Sequence, residues 1–212
     1  MIVNDRIVTY LHSLERSNNP ILEEIEKQAH IDGVPIIRKE MESFLRVMIG
    51  LSKPKKILEL GTAVGYSAIL MSECSEDINI VTIENYEPRI IEAKKNIKKA
   101  HKEDRITLLE GDALEIMKGL DETFDFVFMD AAKAQYIYFL PEIMRLLKKG
   151  GVLIADNVLQ EGDLVESKFA TRRRDRTIHT RMREYMYQVK NSPELETTIV
   201  PIGDGITMSI KK

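Results

Sequence analysis

Through the middle of the chain, short apolar runs alternate with longer amphipathic segments. From Lys55 onward the runs are "KKILELG", "INIVTIEN", "ITLLEGD", "FDFVFMDA" and "GVLIADN", each closing on a small, acidic or amide residue. Several are almost continuously apolar, which suits central parallel strands covered by helices on both faces. The segments between them are ten or more residues long and are expected to be helices. The alternation stops at "LETTIVPIGDGITMSIKK", which reads as two strands joined by the turn "GDG". The pattern predicts five βα units and a closing hairpin in one α/β, doubly wound, mostly parallel seven-stranded sheet.

The first fifty residues follow a different period. "DRIVTYLHSLERS", "PILEEIEKQAHIDG" and "RKEMESFLRVMIGLS" read as three helices, with Pro20 suited to a first helical turn and Gly33 to a C-terminal cap. Residues 1–52 are therefore expected to form a helical preface that packs on the core, 53–212, or on a second subunit. The 212 residues fit one domain with a single compact core.

Composition narrows the class. With 43% hydrophobic and 31% charged residues the chain matches neither disorder nor a membrane protein. No apolar run approaches the roughly 20 residues of a membrane span, and the charged N-terminus does not read as a signal peptide, so no membrane partner and a cytoplasmic location are expected. Cys74, the one cysteine, rules out an intrachain disulfide and a thiolate zinc cluster and reads as a small helix residue. The four histidines are scattered without zinc-motif spacing. A net charge of −3 hides one strongly basic stretch, "ESKFATRRRDRTIHTRMREYMYQVK", where an anionic partner is suggested.

Candidate chemistry collects at the strand ends, because side chains there face the crevice beyond the carboxyl edge of an open sheet. "LELGTAVGYSA" places Gly61 and Gly65 on the first strand-to-helix turn, where glycine lets a ligand approach the backbone. Their spacing is not that of a pyrophosphate cradle, which disfavours a dinucleotide. Glu84 ends the second strand, where a carboxylate can accept hydrogen bonds from both hydroxyls of a ribose. Asp112 and Ala113 end the third beside the expected base pocket, although Asp112 equally suits the N-cap of the next helix. Together these parts describe an adenosine pocket.

Asp130 ends the fourth strand, and Asp156 and Asn157 end the fifth. Neighbouring strands lie about 5 Å apart, so these side chains can converge into an all-oxygen set suited to Mg²⁺ or another hard cation. Taken separately, each pair also fits a helix cap or a turn. Lys133, three residues after Asp130, can return to the same crevice as general base for an acceptor hydroxyl.

The combination of "DGVPIIRKE", "LELGTAVGYSA", "IEN", "GDA", "MDAAKAQY", "ADNVL" and "PIGDGITMS" resembles the cation-dependent, S-adenosylmethionine-dependent O-methyltransferases, the group of catechol and caffeoyl-CoA O-methyltransferases. The resemblance implies a Rossmann-like class I methyltransferase fold. It implies a cofactor pocket for S-adenosyl-L-methionine lined by Ile37, Gly61, Tyr66, Ser67, Glu84, Asp112, Ala113 and Asp130. It also implies Mg²⁺ on Asp130, Asp156 and Asn157, Lys133 as the base, and a homodimer. Within that group the short preface, "DAAKAQY" and the Arg-rich stretch are most similar to the bacterial tRNA 5-hydroxyuridine methyltransferases; Ala134 departs from the usual glycine of "DAAKGQY". That similarity implies a tRNA anticodon loop as substrate, with Arg172, Arg173 and Arg174 on its phosphates and Tyr136 or Tyr138 stacked on an extruded base. The alternatives are a small phenolic or catecholic substrate, with the arginines a solvated helix face or subunit contact, and a non-enzymatic nucleotide-binding module, which leaves Lys133 without a role.

Overall fold

A computed structural model describes residues 3–212 of the chain. Its seven strands form one sheet in the order β3-β2-β1-β4-β5-β7-β6. They are β1 (Lys56–Leu60), β2 (Asn79–Glu84), β3 (Ile106–Glu110), β4 (Phe124–Met129), β5 (Leu147–Ala155), β6 (Leu195–Val200) and β7 (Ile206–Lys211). Strands β1 to β5 pair in parallel, whereas β7 runs antiparallel to both β5 and β6. The predicted closing hairpin is thus present, its turn formed by residues 201–205.

Eight α-helices accompany the sheet among the described residues: α1 (Asp5–Leu14), α2 (Pro20–Ile31), α3 (Lys39–Ser52), α4 (Tyr66–Ser72), α5 (Glu87–Lys99), α6 (Ala113–Lys118), α7 (Tyr136–Leu146) and α8 (Arg176–Asn191). Two crossovers are shorter than the sequence suggested, α4 with seven residues and α6 with six. Cys74 lies just past the end of α4, where its thiol contacts the Leu70 carbonyl, and not within the helix. The start of α2 follows its sequence signals: Asn19 accepts from the amides of Ile21 and Leu22, Pro20 takes the first position, and Gly33 beyond the end has φ 63°. None of the helices is long and apolar enough to cross a membrane.

Side-chain alternation along the strands divides the interior into two cores. Ile57, Phe126, Phe128, Val152 and Ile154 face α2, α3 and α4. Leu58, Leu60, Val127, Met129, Leu153 and Ala155 face α6, α7 and α8. The helix α1 buries none of its own residues.

Register decides where the site falls. Leu60 is level with Ile83 on one side and Met129 on the other, and Met129 is level with Ala155. The residues that follow therefore leave the sheet in one row. Backbone bonds from Gly61 to Ile83 (3.0 Å), Asp130 to Leu60 (2.9 Å) and Asp156 to Met129 (2.9 Å) extend the ladder one step past the strands.

Candidate active site

This row opens on a crevice of about 640 Å³ lined by every residue expected from the sequence to touch cofactor or metal: Ile37, Gly61, Tyr66, Ser67, Glu84, Asp112, Ala113, Asp130, Lys133, Asp156 and Asn157. The geometry refines several of their roles. A Cβ on Gly61 would stand 2.1 Å from the Asp130 carbonyl oxygen, and its φ is +99°. Glycine is required there first to let β1 and β4 leave the sheet side by side, before any ligand arrives. Asp112 does cap α6, accepting from Leu114 (3.0 Å) and Glu115 (3.1 Å), while also lining the crevice. The capping reading of Asp112 is thus borne out, at a position on the crevice wall.

Glu84 sits at one end of the crevice. One carboxylate oxygen accepts from the Ala63 amide at 2.9 Å, and the other from Asn85 and Tyr86 at 3.0 Å each. These bonds fix the carboxylate and stabilise Ala63 in a left-handed conformation, φ 47°. Asn157, also in the crevice, has φ 61°. Two non-glycine residues in this sparsely populated region, both lining one cleft, mark it as a site where backbone strain is tolerated.

At the other end, the Asn157 amide donates to Asp130 Oδ1 at 2.8 Å, and Asp156 Oδ1 accepts from the Asn157 backbone at 2.6 Å. Burial is the largest influence on both aspartates. It raises the Asp130 pKa against the opposing Asn157 bond and Lys133 charge; it raises Asp156, with help from Asp130, to about 7. A buried and a half-buried carboxylate held together at this cost fit a divalent cation, which would return both to their charged forms. Among the described residues no group of three or more His, Cys, Asp or Glu is arranged for a metal, so water and substrate oxygens would complete the coordination.

Tyr136 cannot stack on a substrate base. It is 0% exposed, and its hydroxyl donates to the carbonyls of Met129 (3.2 Å) and Asp156 (3.0 Å). Its ring packs edge-on against Tyr185, centroids 5.6 Å apart, so it braces the ends of β4 and β5 from below. Tyr138 points the other way, 45% exposed, with the Arg181 guanidinium 5.0 Å from its ring centroid. Arg181 also donates to the Ala134 carbonyl at 3.3 Å, holding α8 to the crevice lip.

Arg172, Arg173 and Arg174 are exposed in a short 3-10 turn ahead of α8, outside the crevice. Other cations of the basic stretch have structural partners: Arg183 bonds the Glu166 carbonyl and Lys190 that of Thr197.

Three polar residues in or next to the crevice were not singled out in the sequence. Arg38 and Asp204 form an ion pair at 3.0 Å and both line the crevice. Glu59, fully buried on β1, accepts from Thr82 at 2.5 Å, and Thr82 meets the Thr62 hydroxyl at 2.6 Å. When Glu59 is ionised, the Thr82 hydroxyl donates its hydrogen bond to the carboxylate, so Thr62 must be the donor to Thr82. The "GDG" turn and the acid inside "LELG" were the available signals.

The parallel sheet with one reversed strand, and a crevice at its carboxyl edge, define the class I S-adenosylmethionine-dependent methyltransferase fold. Residues 12–212 match the O-methyltransferase family model. The chain is 29% identical to a caffeoyl-CoA O-methyltransferase of Eucalyptus globulus, covering 94% of this chain and 86% of that one. It is 34% identical to a catechol O-methyltransferase of Niastella koreensis over 63% of this chain and 64% of that one. A solved SAH-bound methyltransferase from Podospora anserina superposes with a TM-score of 0.88 at 26% identity, covering 98% and 94%. The chain belongs to this O-methyltransferase family and is an S-adenosylmethionine-dependent O-methyltransferase.

Proposed function

We propose that the protein methylates the 5-hydroxyl of 5-hydroxyuridine at the tRNA wobble position, giving 5-methoxyuridine, with the help of Mg²⁺. S-adenosylmethionine supplies the methyl group, and the cation supplies a Lewis acid that makes the acceptor hydroxyl more acidic. Glu84 accepts the ribose hydroxyls, Asp112 and Ala113 border the base, and Gly61, Tyr66, Ser67 and Ile37 border the rest of the cofactor. Asp130, Asp156 and Asn157 would hold the cation through their side-chain oxygens. Lys133, in its neutral amine form, would accept the proton lost by the acceptor hydroxyl. Holding both reactants in one crevice is the main source of acceleration expected from such a site.

The observation that carries the tRNA reading is the exposed Arg172–Arg173–Arg174 run at the head of α8, the helix that reaches the crevice lip through Arg181. A small catechol needs no such surface. The names of the relatives favour the second reading, a catechol or caffeoyl thioester acceptor. Purified protein given S-adenosylmethionine with an isotopically labelled methyl group, Mg²⁺, and either 5-hydroxyuridine-containing tRNA or catechol separates them. Labelled tRNA and unlabelled catechol support the proposal; the reverse selects the second reading. The helical preface, with its exposed α1, is proposed to pair two copies.

A further inference from the structure

Beside the triple arginine stands a ring that neither core explains. Phe169 is 72% exposed, although its backbone is held in place. A local turn fixes it: the Ala170 amide bonds the Ser167 carbonyl at 2.8 Å, and the Thr171 hydroxyl bonds that of Lys168 at 2.8 Å. The turn is tied to α8 at both ends, since His179 contacts the Glu166 carbonyl at 3.0 Å and Arg176 donates to the Phe169 carbonyl at 3.4 Å. The Lys168 ammonium lies 5.3 Å and the Arg176 guanidinium 5.7 Å from the ring centroid. Between Val165 and Arg176 there are five cations, Lys168, Arg172, Arg173, Arg174 and Arg176, against the carboxylates of Glu166 and Asp175.

A solvent-facing aromatic ring amid exposed cations is the arrangement that takes an unpaired base on its face and the flanking phosphates on its charges. A fully paired helix offers phosphates but no free base face. An acidic protein surface would use the cations and gain little from the ring. We propose that Phe169 is a stacking platform for an unpaired base of an RNA loop, flanked by Lys168 and Arg172 to Arg174 as phosphate contacts. This rests on the tRNA reading and adds to it a residue outside the crevice that recognises single-strandedness.

The test is fluorescence anisotropy with a labelled RNA hairpin and a fully paired RNA duplex, across a salt series, for the parent, Phe169→Ala and Phe169→Trp. S-adenosylmethionine binding by calorimetry confirms that each variant is folded. Phe169→Ala is expected to weaken hairpin binding roughly fivefold to a hundredfold while leaving duplex binding and the salt slope unchanged, because stacking releases no counterions. Phe169→Trp is expected to restore the hairpin affinity. Hairpin binding equal to the parent overturns the assignment and leaves the tRNA reading standing. Equal loss for hairpin and duplex with a flattened slope also overturns it, the ring then only propping the cations. So does a change in sedimentation from dimer to monomer without an RNA effect, which would make this face a contact between copies. If the parent binds neither RNA even at low salt, the tRNA reading and the stacking role fall together.

Discussion

The side-chain amide of Asn157 donates to Asp130 Oδ1 at 2.8 Å, joining the ends of two adjacent parallel strands. With Asp156 beside them, these residues form the end of the crevice proposed to hold the cation. Asp156→Ala should abolish methyl transfer while keeping the sheet, because the Asp156 backbone bonds to Met129 and Tyr136 remain. Added Mg²⁺ should raise the melting temperature of the parent and not that of the variant, since only a folded-state binder stabilises. Full activity of the parent in excess EDTA would remove the metal from the mechanism.

Glu84→Ala should weaken S-adenosylmethionine binding at least about tenfold, each charge-assisted bond being worth roughly 1.5–3 kcal/mol. Calorimetry of parent and variant measures this directly. Tighter binding of NAD than of S-adenosylmethionine by the parent would reassign the pocket.

Gly61→Ala forces a methyl group to 2.1 Å from the Asp130 carbonyl oxygen at a positive φ. The neighbour is backbone and has no rotamer to change, so the variant should lose at least about 2 kcal/mol in urea denaturation and bind cofactor poorly. Parent-like stability would mean that β1 and β4 can separate at their ends.

Glu59 gives a pH signature. Burial, opposed by bonds from Ser67 and Thr82, raises its pKa from 4.5 to about 7. Below pH 4.5 the folded and unfolded chains both hold this proton. Between 4.5 and 7 only the folded chain keeps it, so the contribution to stability falls as pH rises, by up to about 1.4 kcal/mol per pH unit, and is gone above the folded value. Glu59→Gln should therefore gain stability relative to the parent from pH 5 to pH 8 in denaturation curves. A constant difference across that range would show that Glu59 titrates normally.

The strand ends were legible because the side-chain period and the acidic punctuation of each run coincide, and Asp130 and Asp156 meet as neighbours on β4 and β5. The Arg38–Asp204 pair was not, because it depends on docking a hairpin turn 166 residues away in sequence. Glu59 was hidden in an apolar run, although the alternation that sends Ile57 to the α3 and α4 core sends residue 59 to the same face. Tyr136 was misread for a reason its own helix contains. It shares a face with Phe139, Leu140 and Ile143, all buried, whereas Tyr138 falls on the opposite one.

The most direct measurement of the proposed activity is mass spectrometry of tRNA nucleosides from cells with and without this gene. Loss of 5-methoxyuridine with accumulation of 5-hydroxyuridine in the deletion strain, reversed by the parent gene and not by Asp156→Ala, is the predicted result. Unchanged 5-methoxyuridine in the deletion strain would contradict the tRNA assignment and leave a small phenolic acceptor as the substrate to pursue.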